Sequence, residues 1–285
     1  MKFLLLLFSL LTSACLRAQY YYNDIAGTLE TNRLMQTYLA NKVRMVTATG
    51  IDANGVKATD FAEVHEVKDN GKTLKTSART GSSYTAFYNR FDDKNRLISI
   101  TDTSAAVQNS TTYQYDAAGR IIQMQNIVRD SANEFNQTEV HQWSYTAAGK
   151  PEKMWRTING GDSLEIRFVA VENGNPGEEV SYRRGYETDR LYYYFDEKNR
   201  ITDIVRYNKK IKKLVPDIII TYDDNDRIIQ KITSSPGDNY GRVTWVGYVI
   251  WRYIYNDKGL KTKEALFDKE QQLTGKIEYS YIFGQ

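Results

Sequence analysis

The chain has 285 residues, a formal charge of +3, and is 41% hydrophobic and 13% aromatic. That composition supplies ample core for one large domain or two and excludes a disordered chain, while the near-neutral charge argues against a nucleic-acid binder. Tyrosine, at 22 residues against 4 prolines, favours pleated strands over helices, so an all-β protein is expected.

In chain order, "MKFLLLLFSLLTSACLRAQ" opens with one lysine, an apolar run from Phe3 to Leu11 and then small residues. This is the layout of a secretory signal peptide over residues 1–18, and the run is too short to span a bilayer. Two processing sites compete. Thr12-Ser13-Ala14-Cys15 resembles a lipobox that would leave a lipidated Cys15, and Leu16-Arg17-Ala18 before Gln19 resembles a plain signal-peptidase site, which we favour. Cutting there removes Lys2 and Arg17 and no acid, so the charge falls by two to +1. It also removes Cys15, the only cysteine, and leaves no disulfide or thiol chemistry.

Residues 19–45 form an N-terminal segment. Leu29, Leu34, Met35, Tyr38 and Leu39 recur mostly at three- and four-residue steps, which predicts a short amphipathic helix with Thr28 or Thr31 as its N-cap. We expect it to cap the open end of a sheet built from residues 46–285.

From there one phrase keeps returning: an aromatic at position zero, then Asp, two turn residues, Gly or Asn, and a basic residue. It stands at Phe91 (FDDKNRL), Tyr115 (YDAAGRI), Tyr145 (YTAAGKP), Phe195 (FDEKNRI), Tyr222 (YDDNDRI) and Tyr255 (YNDKGLK). The gaps are 24, 30, 50, 27 and 33 residues, and the 50 is expected to hide a decayed copy near Val171. Weaker copies start at Ile51 and Val67. Such a period is one supersecondary unit of a repeat protein. Position plus four carries Asn95, Gly119, Gly149, Asn199, Asp226 and Gly259, residues that tolerate positive φ. Position plus one carries Asp92, Asp116, Asp196 and Asp223, which can bond the turn's own backbone. The phrase therefore reads as a β-hairpin turn. Positions minus four, minus two and zero of the entering strand are apolar or aromatic in most copies, as in Leu191, Tyr193, Phe195 and Ile218, Ile220, Tyr222. Period two places them on one face, a stripe that no lone hairpin can bury.

"YDAAGRI", "FDEKNRI" and "YDDNDRI" resemble the Tyr-Asp (YD) repeats of the Rhs family, whose large bacterial members wind β-hairpins into a shell around a toxin domain. The resemblance covers roughly Ile51 to Phe283. It implies an all-β array of antiparallel β-hairpin repeats in a twisted sheet with one short N-terminal helix. This chain is too short to close such a shell, and its strands run on to the C-terminus, so toxin delivery is not implied.

Candidate chemistry is sparse. His65 and His141 sit in different repeats without cysteine, so no zinc site is expected, and His141 reads as an inward structural residue. The run Asp223 to Asp226 fails the calcium-loop test, with Ile229 at the glycine place and Ser235 at the glutamate place. The plus-one aspartates repeat one turn position and so give no catalytic pair. "NKKIKKL", Asn208 to Leu214, is the single basic cluster and reads as a solvated loop, with contact to an anionic surface as the sharper reading. In "LYYYF", Tyr192 and Tyr194 face away from the stripe and are candidate ligand-face aromatics.

The sequence thus points to an exported, non-enzymatic envelope protein, a structural or binding module with no catalytic residue, metal or cofactor. An envelope protein or polysaccharide is the expected partner, nucleic acid is not, and a membrane is met only through a lipid on Cys15. Carbohydrate binding or processing, and an immunity-like role beside a toxin, are the alternatives.

Overall fold

The computed structural model describes residues 19–103, 107–130, 135–172, 174–208, 211–235 and 247–284; the leader with Cys15 lies outside them. Among the described residues, helix α1 opens with π-helical turns (Tyr21–Ala26) and continues as α-helix (Gly27–Ala40). Eighteen strands follow in one sheet. They are β1 (Val43–Asp52), β2 (Phe61–Lys68), β3 (Thr73–Thr80), β4 (Ser83–Phe91), β5 (Leu97–Asp102), β6 (Val107–Tyr115), β7 (Ile121–Asp130), β8 (Asn136–Tyr145) and β9 (Pro151–Ile158). The second half is β10 (Asp162–Glu172), β11 (Asn175–Arg183), β12 (Tyr186–Phe195), β13 (Ile201–Asn208), β14 (Lys213–Tyr222), β15 (Ile228–Ser235), β16 (Gly247–Tyr255), β17 (Lys261–Phe267) and β18 (Leu273–Phe283).

Each strand pairs antiparallel with its sequence neighbours, and β1 pairs both with β2 and with β18, Val46 opposite His65 on one side and Tyr281 on the other. The sheet is a closed barrel. This corrects one expectation, that the sheet has an open end for the helix to cover; that the chain is too short for a cargo-enclosing shell is a separate matter. A cargo-enclosing shell needs many turns of sheet, but a barrel needs only enough twisted strands to bring the last beside the first, and closure satisfies every edge.

The repeat gap now has a geometric meaning, because one phrase accounts for an up-and-down pair of strands. The turns after β4, β6, β8, β12, β14 and β16 carry the six strong copies and lie on one rim. The 50-residue gap contains a further hairpin on that rim, where Glu172 of β10 pairs with Asn175 of β11 and Gly174 has φ of 80°. The Val67 copy also turns there, through three successive positive-φ residues, Asp69 to Gly71. The Ile51 copy, between β1 and β2, turns at the opposite rim.

The inward face follows the predicted alternation. His141, Trp143, Leu191, Tyr193, Ile218, Ile220 and Trp251 are all buried. Inside the ring, α1 fills the place that the sheet alone would leave hollow. Met35 and Tyr38 pack with Val46, Leu74, Phe91, Leu97 and Leu260. Tyr22 packs with Leu191, Ile204 and Ile218, while Tyr20, Tyr21 and Ile25 meet Trp143, Ile166 and Phe168. One helix touching strands so far apart around a closed ring must lie in the lumen, so it is an internal plug and not the end cap expected from the sequence. Full burial of each large side chain is worth about 1.5–3 kcal/mol, and the helix supplies several.

Its start also differs from the sequence reading. Thr28 and Thr31 are inside the helix, their hydroxyls donating back to the Asp24 and Gly27 carbonyls at 2.6 and 2.9 Å. The first free N–H groups belong to Tyr20 and Tyr21, and they donate to the Glu179 carboxylate on β11 at 3.2 and 2.9 Å. A capping side chain 159 residues away leaves no local signal.

Candidate functional site

The predicted turn residues form one recurring device. Asn95, Asn199 and Asp226 have φ of 57°, 59° and 62°, and Gly119, Gly149 and Gly259 have 81°, 78° and 73°. In each of the four full copies the plus-one carboxylate (Asp92, Asp116, Asp196, Asp223) accepts the backbone N–H of plus five at 2.9 Å. Its other oxygen accepts Nε of that same plus-five arginine, Arg96, Arg120, Arg200 or Arg227, at 2.7–2.8 Å. These donors hold the Asp116 carboxyl below its ordinary range, the Arg120 backbone N–H first and its guanidinium second. Thr146 and Asn256 replace the aspartate in the other two copies and keep only the backbone part, at 3.2 and 3.0 Å.

Each arginine then reaches the next repeat. Arg96, Arg120, Arg200 and Arg227 lie over the rings of Tyr115, Tyr145, Tyr222 and Tyr255, at 4.5, 4.7, 4.5 and 5.0 Å from the centroids. The hydroxyls of those tyrosines donate back to the carbonyls of Leu97, Ile121, Ile201 and Ile228 at 2.6, 2.6, 2.9 and 2.9 Å. The phrase therefore encodes both the turn and the bond between successive turns. The plus-five arginine was legible as a recurring letter, but its partner one repeat away was not.

A second set of polar groups fastens the helix. Asp24 is buried and accepts from Nδ1 of His141 at 2.6 Å and Nε1 of Trp143 at 3.1 Å. Nε2 of His141 meets Glu139 at 2.8 Å, and Glu139 also takes Nη2 of Arg156 at 2.6 Å. Burial alone would lower the His141 pKa, but the Asp24 and Glu139 carboxylates outweigh it and raise the pKa to about 9. Glu139 is driven down to about 2 because its bonds to His141 and Arg156 overcome burial. The helix's other half repeats the pattern: Tyr38 Oη lies 3.3 Å from Nδ1 of His65, whose Nε2 lies 2.7 Å from Glu63. The shared triplet Glu-Val-His, at Glu63-Val64-His65 and Glu139-Val140-His141, was visible in the sequence and marks both anchors. Glu179, wholly buried beside Tyr193 Oη at 2.8 Å, is pushed up to about 7 by burial despite the N–H groups it receives.

Of the remaining candidates, Tyr194 is exposed and Tyr192 half-buried on the outer face, opposite in phase to Leu191 and Tyr193. The basic cluster is the β13–β14 connection, with Ile211 and Leu214 exposed and residues 209–210 outside the described range. His65 and His141 are 76 residues apart and hold different parts of one helix; they do not converge on one site.

The family model for the RHS Repeat matches residues 91–126, the span of the Phe91 and Tyr115 copies. Residues 91–126 carry an RHS-type YD repeat. No curated protein matches it. Among solved structures, a TcdB2-TccC3-Cdc42 crystal structure shares 14% identity at a TM-score of 0.36, covering 79% of this chain and 12% of that one. The Photorhabdus luminescens Tc holotoxin pore is similar at 15% identity and a TM-score of 0.35, with 78% and 12% covered. A porin-like protein from Bacteroides uniformis shares 11% identity at a TM-score of 0.38, covering 85% of this chain and 97% of that one. The chain thus spans 12% of the length of the two toxin chains.

Proposed function

We propose that this chain is an exported, non-enzymatic repeat barrel of the bacterial cell envelope, acting as a structural or partner-binding module. The observation that carries this reading is the use made of the repeated residues. Each plus-one aspartate is saturated by a backbone amide and an arginine, and each phrase tyrosine by a neighbouring carbonyl and that arginine. Side chains bound in this way hold a wall in shape, committed to their own turn and to the next one. The lumen is held by the protein's own helix, which favours a rigid module over a vessel for cargo. The exposed Tyr194 and the β13–β14 connection with Ile211 and Leu214 offer outer surface for an envelope protein or polysaccharide.

The leader, with its small residues before Cys15 and Gln19, supports export. Mass spectrometry of the protein recovered from the envelope fraction of its native host tests this directly. The expected N-terminus is Gln19, with an acylated Cys15 as the lipoprotein outcome; an intact Met1 on cytoplasmic material overturns export.

A further inference from the structure

The two rims of the barrel differ in composition. Between positions plus one and plus four, the six strong phrase turns carry no apolar side chain larger than alanine. At or beside the hairpin tips of the opposite rim stand Val56, Tyr84, Phe135, Tyr186, Ile211 and Leu214, each between 48% and 78% exposed. Aromatic and aliphatic side chains gathered in water at one end of a molecule mark a surface for contact.

Charge gathers on two of those hairpins, which are neighbours because β12 pairs with β13. In one, Arg183 of β11 is opposite Tyr186 of β12; in the other, Asn208 of β13 is opposite Lys213 of β14. The acids beside them are already matched. Arg183 holds Asp162 at 3.2 Å, Arg190 holds Glu187 at 2.7 Å, and Arg206 holds Asp189, and Asp217 at 3.0 Å. Arg184, Lys212 and Lys213 are exposed, and among the described residues no carboxylate lies within ion-pair distance of them. These three cations stand beside exposed Tyr186, Tyr207, Ile211 and Leu214. Long cationic side chains around aromatic and aliphatic ones suit the boundary between lipid headgroups and acyl chains.

The start of the described chain is within reach of the same rim. Gln19 is buried, and its Nε2 donates to Asp217, four residues inside Lys213 on β14. Four residues of extended chain, from Cys15 to Gln19, span about 14 Å, the same length as four strand residues.

We propose that this rim seats on an anionic phospholipid surface, with Arg184, Lys212 and Lys213 on the phosphates and Tyr186, Ile211 and Leu214 among the upper acyl carbons. Each cation adds an attraction that salt screens, and the apolar side chains add a part that salt leaves intact. A soluble acidic polymer would meet the cations but leave Ile211 and Leu214 in water, which favours lipid. A single acyl chain anchors only marginally, so on a lipidated Cys15 this patch supplies the second signal that lasting attachment needs. The inference rests on the envelope-module reading and deepens it: the β13–β14 hairpin is assigned to lipid, and the outer Tyr194 face is left for protein or polysaccharide.

The test is co-sedimentation of the chain beginning at Gln19 with vesicles of phosphatidylcholine alone or in equal parts with phosphatidylglycerol. Binding to the anionic vesicles is expected, with little to the neutral ones. It should weaken about tenfold or more in Lys212→Gln with Lys213→Gln, and stay unchanged in Lys94→Gln on the phrase rim. Ile211→Ser with Leu214→Ser should remove the binding that survives high salt, with circular dichroism of every variant as wild type. A second measurement does not depend on lost binding. The chain from Gln19 has no cysteine, so a polarity-sensitive dye can be placed on Tyr186→Cys or on Lys94→Cys. The dye at 186 should brighten on anionic vesicles and the dye at 94 should not. The proposal is overturned by no binding to anionic vesicles, by equal binding to neutral ones, by full binding in the double lysine variant, or by equal brightening at both positions. Binding of soluble alginate with none to vesicles would assign the patch to an acidic polymer and overturn it too. None of these results bears on the N-terminus found in the envelope fraction, so the two readings fail separately.

Discussion

At the scale of single residues, the plus-four turn position is under backbone constraint and the plus-five arginine under a chemical one. Gly119 has φ of 81°, which a β-branched side chain adopts only with strain, although a Cβ there would meet nothing closer than an Arg96 nitrogen at 3.5 Å. Gly119→Val should therefore destabilise by about 1–2 kcal/mol through backbone strain alone, and Asn95→Gly should be near neutral. Arg200→Met removes the fork to Asp196 and the cation over Tyr222, and about 1–2 kcal/mol should be lost. Thermal melts read all three, and a Gly119→Val melt equal to wild type would sink the turn assignment. The buried titrating groups give a pH prediction. Glu179, at about 7 against an ordinary 4.5, contributes stability that is complete below pH 4.5 and lost as pH rises through 7. His141, at about 9 against 6.5, contributes stability that is complete below pH 6.5 and lost as pH rises through 9. Glu139 runs the other way: its stabilisation is present above 4.5 and lost as pH falls through 2. The melting temperature should fall between pH 5 and 9. Glu179→Gln should flatten the lower part of that decline and His141→Asn the upper, whereas full slopes in both variants would show that neither group is coupled to folding.

At the scale of elements, the helix is as much a part of the barrel as any strand. Its apolar contacts bridge β1 to β5 and β7 to β14, and its polar anchors Asp24 and Tyr38 engage the two Glu-Val-His segments. Met35 has no exposed surface, so Met35→Ala should cost about 2–5 kcal/mol, well above an exposed helix position such as Gln36→Ala at under about 0.5 kcal/mol. Denaturant unfolding of the two variants measures this contrast. Equal midpoints would mean that the helix packs only loosely within the ring. The hairpins were readable because their code is local: a positive-φ residue four after the aromatic and an aspartate one after it. The helix's presence was readable for the same reason, through its three- and four-residue spacing. Its position was not, because Glu179 and His141 become neighbours of Tyr20 and Asp24 only once β8 and β11 are in place.

At the scale of the whole molecule, closure decides how the chain responds to truncation. Removing everything from Trp245 onward deletes β16, β17 and β18, exposing β1 on one side and β15 on the other and uncovering Ile218, Ile220 and Tyr222. Two unpaired strand edges beside an apolar face form a template for association, so the truncated chain should be mostly insoluble. A truncation ending one repeat earlier should fail in the same way. Soluble, monomeric truncated protein with strand circular dichroism would show that the ring need not close. By itself the sequence determined the unit: an all-β chain of hairpins, their turns, and the inward alternation of aromatic and aliphatic residues, since each depends on residues a few positions apart. Only the tertiary structure decided the rest. Whether β18 meets β1 depends on twist and stagger accumulated over eighteen strands, and the helix can enter the lumen only when there is a lumen to enter.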